Sequence, residues 1–155
     1  MATFPVFENQ LAAQSNSSNL NSMGRSSSDT ERLSGDAGNL VSIVDDDDSI
    51  RKSIGRLIKS AGLRAEMFGS AEDFLEFGNQ FETACLILDV RLTGMSGLDL
   101  QRRLADEESR VPIIFISAHD EERSRSQAMK SGAIAFLGKP FDDKGLLELV
   151  HSALK

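Results

Sequence analysis

The chain has no tryptophan and no tyrosine, a single cysteine and three prolines among its 155 residues. Each shortage excludes something. One cysteine, Cys85, rules out an internal disulfide framework and a cysteine zinc cluster. Nine phenylalanines are the only aromatics, a poor supply for stacking single-stranded nucleic acid. Basic charge is also short, at 17 Lys and Arg against 24 Asp and Glu, for a net of −7. That argues against nucleic-acid binding by blanket charge neutralisation. No apolar run approaches the roughly 20 residues a membrane helix needs. What remains is globular composition, 40% hydrophobic and 26% charged, at the length of one ordinary domain.

The composition breaks near residue 40. Residues 1–40 hold eight Ser and five Asn, with apolar residues at no sustained period. Such a segment cannot bury enough surface to offset about 1–2 kcal/mol of backbone entropy per residue, so it is expected to be a disordered tail. It has neither the basic start nor the apolar core of a signal peptide. With two Arg against four acids it also has the wrong balance for a transit peptide. Phe4, Val6 and Phe7 form either a short docking motif or part of a plain tail.

From residue 41 the pattern is regular. NLVSIVD, the alternating stretch from Leu63 to Met67, Cys85–Asp89, PIIFIS at Pro112–Ser117 and Ile134–Leu137 read as strands. Between and after them, Ser49–Ser60, a short helix opened by Ser70 and Asp73, Ser96–Glu107, Glu121–Ser131 and a last helix capped by Asp142 carry helical spacing. Phe74, Leu75 and Phe77 lie on the second helix, Leu98, Leu100 and Leu104 face inward on the third, and Ala128 and Met129 are the apolar residues of the fourth. Apolar strands alternating with helices predict an α/β fold: a doubly wound, five-stranded parallel sheet with five helices.

In such sheets ligands sit beyond the carboxyl ends of the strands. The residues expected there are Asp45–Asp48 after the first strand, Asp89 ending the third, Ser117 ending the fourth, and Lys139–Pro140 after the fifth. Clustered acids repel, by about 4 kcal/mol for two unit charges 4 Å apart at an effective dielectric of 20. A hard divalent cation relieves this. Mg2+ suits oxygen ligands and phosphate chemistry, whereas zinc would want His or Cys. Lys139 and Ser117 then supply an ammonium and a hydroxyl for a phosphoryl group, and a carboxylate can accept one as an acyl phosphate. Each residue also has a plainer reading. A run of four Asp is by itself a solvated turn, Asp89 a strand-end turn residue, Ser117 a loop cap and Lys139 a surface lysine. Their placement at matching strand ends is what turns them into one site. Cys85 reads as core, and His151 as a helix C-terminal residue favoured by the dipole. His119 is either a surface loop residue or one that tunes water access.

The segments VSIVDDDDSIRKS, LILDVRLTGMSG, PIIFISAHD and GAIAFLGKPF, in that order, resemble a response-regulator receiver domain of two-component signalling. The sub-pattern with SGLDLQRRL and ISAHD is most similar to receivers of the nitrogen-fixation and nitrate-response regulators. The resemblance spans 41–155 and implies a flavodoxin-like fold. It implies Asp89 as phosphoacceptor, Asp46 as a direct Mg2+ ligand, Asp45 as a ligand mainly through water, and the Arg91 backbone carbonyl as a further ligand. It also implies Ser117 as switch hydroxyl, Lys139 as the site lysine with the Lys139–Pro140 bond cis, and Phe136 as an aromatic that turns with Ser117; Phe136 as a core residue is the alternative. Asp47 and Asp48 fall at the start of the first helix, where negative charge is favourable by about 0.3–1 kcal/mol.

The implied role is a cytoplasmic signalling domain, not an enzyme beyond assisting its own phosphorylation and dephosphorylation. A sensor histidine kinase or phosphotransfer protein would supply the phosphoryl group. The face of the fourth helix, fifth strand and fifth helix would then take a dimer partner or a downstream protein. Neither nucleic acid nor membrane is an expected direct partner. The chain ends with the last helix, so it is expected to act by protein contact or to pass phosphate onward if complete, and a DNA-binding domain is expected to follow if it is a fragment. Two other readings remain. One is a haloacid-dehalogenase-type aspartyl phosphatase using Asp45; the other is a pseudo-receiver that only binds. One departure stands out: Thr93 occupies a position where the family more often has proline. Thr93 is expected to loosen the loop beside the metal.

Overall fold

The structure is a computed structural model that describes residues 39–119 and 121–155. Residues 1–38 of the expected tail lie outside the described residues. The fold begins one residue inside that tail, with Leu40 buried in the first strand.

Five strands and five helices alternate along the chain. They are β1 (Leu40–Val44), α1 (Asp48–Ser60), β2 (Arg64–Phe68), α2 (Ala71–Phe77), β3 (Thr83–Asp89), α3 (Gly97–Asp106), β4 (Ile113–Ser117), α4 (Glu122–Lys130), β5 (Ala135–Gly138) and α5 (Asp143–Ala153). All pairings are parallel, and the strand order is β2-β1-β3-β4-β5. The expected doubly wound fold is therefore present, in the order of the flavodoxin-like class.

Alternation along each strand sorts the core into two layers. Val41, Ile43, Cys85, Ile87, Ile114 and Ile116 meet Ile54 and Ile58 of α1 and Leu146 and Val150 of α5. Val44, Leu86, Leu88 and Phe115 meet Phe74 of α2, Leu100 and Leu104 of α3 and Ala128 of α4. The three inner strands are buried on both faces, which is why they read as continuous apolar runs. Cys85 sits in this core as expected, and burial pushes its thiol up to about 12, so it is an inert apolar residue.

Local chemistry fixes the helix starts. Asp47, Ser70 and Asp142 each accept a backbone N–H three residues on, at 3.0–3.1 Å. Ser96 and Asp99 form a reciprocal capping box, whereas at Ser70 the bond runs one way only. Asp48 lies in the first turn of α1, the end that suits its charge, and His151 lies in the last turn of α5.

One boundary shifts: β5 runs Ala135–Gly138 rather than Ile134–Leu137, and Ile134 just before it is exposed. Leu98 packs half-buried against the core, whereas Met67 at the sheet edge and Met129 on α4 are exposed. The buried polar residue of α3 is Gln101, whose side-chain amide donates to the Ala128 carbonyl at 3.0 Å and ties α3 to α4. No helix among the described residues is long and apolar enough to cross a membrane.

Candidate functional site

The sheet order reverses direction of winding between β1 and β3, and the crevice lies beyond the carboxyl ends of those strands. Asp45 and Asp46 follow β1, Asp89 closes β3, Ser117 closes β4, and Lys139 follows β5. The structure brings the three carboxylates together: one oxygen from each lies within 4.8 Å of the others.

Asp45 is fully buried and both of its oxygens are committed. Oδ1 accepts the Asp47 N–H at 2.8 Å, and Oδ2 accepts from Lys139 Nζ at 2.9 Å. Arg51, one turn into α1, donates to the Asp45 carbonyl at 2.7 Å and pairs with Asp48. Asp89 is also buried. Its Oδ1 accepts the Arg91 N–H at 3.2 Å and its Oδ2 accepts from Lys139 Nζ at 3.1 Å. Asp46 is exposed, and its Oδ2 accepts from both the N–H and the hydroxyl of Thr93, each at 3.2 Å.

The electrostatics follow from this crowding. Burial, then the charge of Asp45, pushes the Asp89 carboxyl up to about 6, against the pull of Lys139 and the Arg91 N–H. Burial pulls the Lys139 ammonium down, but its hydrogen bond to Asp45 and the charges of Asp89 and Asp45 outweigh this and hold it above its ordinary value. The group therefore carries two buried carboxylates against one ammonium, with Asp46 adding a further negative charge at the mouth.

The loop after β3 is pinned along its length. The Met95 N–H donates to Glu72 Oε2 at 2.9 Å, which lowers the pKa of Glu72, and the Gly97 N–H donates to the Val90 carbonyl at 2.9 Å. Gly97 has to be glycine, since a Cβ there would run into the Asp89 carbonyl. Gly94 turns the loop at a φ of +85°. Thr93, also in this loop, donates to Asp46.

Ser117 is buried at the rim, but its hydroxyl is turned to its own loop. It donates to the His119 carbonyl at 2.7 Å and accepts the His119 N–H at 3.1 Å. His119 itself is exposed. The Ser117 carbonyl accepts the Lys139 N–H at 2.8 Å, which aligns β4 with the segment carrying the lysine. The Lys139–Pro140 bond is cis, as expected.

Phe136 is buried against Phe115, with ring centroids 6.1 Å apart. The Arg125 guanidinium lies 4.7 Å over its ring and donates to its carbonyl at 3.0 Å. Arg91, whose carbonyl is the expected ligand, turns its side chain to an ion pair with Glu121 at the start of α4. Arg51 and Thr93 fall within the segments VSIVDDDDSIRKS and LILDVRLTGMSG, whereas Arg125 lies outside all four matching segments, and neither arginine carried a signal of the contact it makes.

The donor set fits a hard cation. Three carboxylates converge, and no His or Cys is among them.

Residues 41–151 match the response regulator receiver domain family. The chain is 45% identical over 120 residues to the response regulator protein TmoT of Ectopseudomonas mendocina, covering 77% of this chain and 54% of that protein. It is 46% identical over 114 residues to nodulation protein W of Bradyrhizobium diazoefficiens, covering 74% and 50% respectively. The solved structure of FixJ-N superposes with a TM-score of 0.68 at 36% identity, over 75% of this chain and 93% of that one. The chain thus spans about half the length of these curated relatives.

Proposed function

Since the chain belongs to the response regulator receiver domain family and is a phosphoacceptor module of two-component signalling, we propose that Asp89 is the residue that takes the phosphoryl group. The observation that carries this is the shared lysine: Lys139 Nζ lies 3.1 Å from Asp89 Oδ2 and 2.9 Å from Asp45 Oδ2. A carboxylate with a raised pKa is still ionised at neutral pH, and its oxygen is a stronger nucleophile than that of an ordinary carboxylate. An Asp89 oxygen attacks phosphorus, the phosphorus–nitrogen bond of a phosphohistidine breaks, and the imidazole leaves with the bond's electron pair. The product is an acyl phosphate on Asp89. Lys139 then faces a phosphoryl oxygen in place of the free carboxylate it neutralised before.

Asp46, Asp89 and the Arg91 carbonyl are the ligands we assign to Mg2+, with Asp45 acting mainly through water. The engagement of both Asp45 oxygens supports that indirect role. Bound Mg2+ supplies positive charge where charge builds on the transferring oxygens. Ser117 has to exchange its His119 partner for the phosphoryl group, and Phe136, packed on Phe115 two residues before Ser117, is the aromatic we expect to turn with it. The readout is the face of α4, β5 and α5, offered to a second copy or a downstream protein. The donor is a sensor histidine kinase or phosphotransfer protein, in the cytoplasm. On this reading the domain is a switch and not an enzyme, beyond assisting its own phosphorylation and dephosphorylation.

The alternative of a phosphatase built on Asp45 loses its ground. Asp45 is fully buried, both oxygens are bonded, and the chain belongs to another family. The test is intact-mass analysis after incubation with acetyl phosphate and Mg2+. A gain of one phosphoryl group, lost in Asp89→Asn, is the expected outcome. No gain in the wild-type chain would make it a pure binding module and refute the reading.

A further inference from the structure

The three acids of the cluster are not held in the same way. Asp45 and Asp89 are each fixed by a backbone N–H and by Lys139. Asp46 receives its hydrogen bonds from Thr93, 47 positions along the chain, on a different loop. Both bonds end on Oδ2, and Oδ1 takes no part in them. Two donors on one oxygen stop the carboxylate from rotating about its own axis and leave the other oxygen presented. The loop that carries Thr93 is itself anchored on either side, by Arg91 to Asp89 and by Met95 to Glu72. Thr93 is therefore presented from a fixed position.

We propose that Thr93 is a positioning residue for divalent-cation binding: it sets the orientation of the Asp46 carboxylate and, through it, the affinity of the acidic cluster for Mg2+. The inference rests on the reading of Asp45, Asp46 and Asp89 as the metal site. Groups that orient a ligating carboxylate contribute strongly, and losing one typically weakens metal binding by about 10–100-fold. Two separable donors are at work here, because the N–H survives a side-chain change and the hydroxyl does not. Removing the hydroxyl alone belongs at the lower end of that range.

The experiment is isothermal titration of the full chain with MgCl2, for wild type, Thr93→Ser and Thr93→Val. Valine keeps the shape and the backbone N–H and removes the hydroxyl; serine keeps both donors. Thr93→Ser is expected to bind within about twofold of wild type, and Thr93→Val about tenfold more weakly. Thr93 is exposed, so none of these changes touches the core. Equal affinity of Thr93→Val and wild type overturns the inference. So does a Thr93→Ser variant as weak as Thr93→Val, because the hydroxyl is then not the tether. Failure of the wild-type chain to bind Mg2+ overturns the metal site itself and the inference with it.

Discussion

Polar side chains are buried in this sheet at two levels, on opposite terms. Below the rim, Ser42 and Thr83 bridge β1 and β3 at 2.8 Å, and Thr83 passes its own hydroxyl hydrogen to the Asn79 carbonyl at 2.7 Å. Because Thr83 donates to Asn79, Ser42 donates to Thr83. This relay is neutral and closed, and it ties the start of β3 to its neighbour. At the rim, Asp45 and Asp89 share one ammonium, and Asp46 stands beside them. That group does not balance. A fold that needed only a polar contact between strands already had one a few residues below. The rim therefore holds its charge for what it binds, and the relay holds its hydroxyls for the fold.

The largest way to sharpen this contrast is to remove the rim's cation. Lys139→Met leaves two buried carboxylates with no neutralising cation, only the Asp47 and Arg91 N–H groups, and stability in Mg2+-free buffer at pH 8 is expected to fall by about 3 kcal/mol. Asp89→Asn on that background is expected to recover part of the loss, because the two sites share one interaction. Urea unfolding of the single and double variants measures both. A loss no larger than that of a hydroxyl deletion would erase the distinction between the two levels.

Metal is next. At a free concentration one hundred times its Kd, Mg2+ is expected to stabilise the wild-type chain by about 2.7 kcal/mol. The gain should vanish in Asp46→Asn and persist in Ser42→Ala, read as the Mg2+-dependent shift of the urea midpoint. A shift that persists in Asp46→Asn would place the ion elsewhere.

The pH dependence is of comparable size. The Asp89 carboxyl lies near 3.8 in the unfolded chain and at about 6 in the fold, so between these values the folded state holds more proton than the unfolded one. Stability from this group is full below the lower value and falls as pH rises to the upper one, by on the order of 3 kcal/mol. Metal-free unfolding from pH 4 to 8 should show wild type losing ground to Asp89→Asn, and then a constant gap. Parallel curves throughout would contradict the assigned burial and repulsion.

The smallest effect belongs to the relay. Ser42→Ala is expected to lower stability by about 1 kcal/mol, because Thr83 keeps its bond to Asn79. Mg2+ binding and phosphoryl gain should match wild type.

Much of the rim was legible because two rules act in series. Apolar runs mark the inner strands, and the doubly wound topology then places every strand end on one edge. That brought Asp45, Asp89, Ser117 and Lys139 together from positions up to 94 residues apart. What stayed hidden obeys no period. The Thr93–Asp46 tether depends on the path of a loop, and the Arg125 contact with Phe136 joins two elements through a side chain on a helix of low apolar content. Ser117 is a rotamer question, and residue type cannot tell a hydroxyl turned to His119 from one turned to Asp89. Phe77 and Phe81 show the limit of composition: both are apolar, and both are exposed.

On the function proposed above, the unbalanced rim exists to receive a phosphoryl group on Asp89. The most direct test is to trap the acyl phosphate formed with acetyl phosphate and Mg2+ by borohydride reduction and map the modified residue by peptide mass spectrometry. Reduction converts the phosphorylated aspartate to homoserine. Homoserine is expected at position 89; homoserine at position 45, or at neither, would refute the role of Asp89.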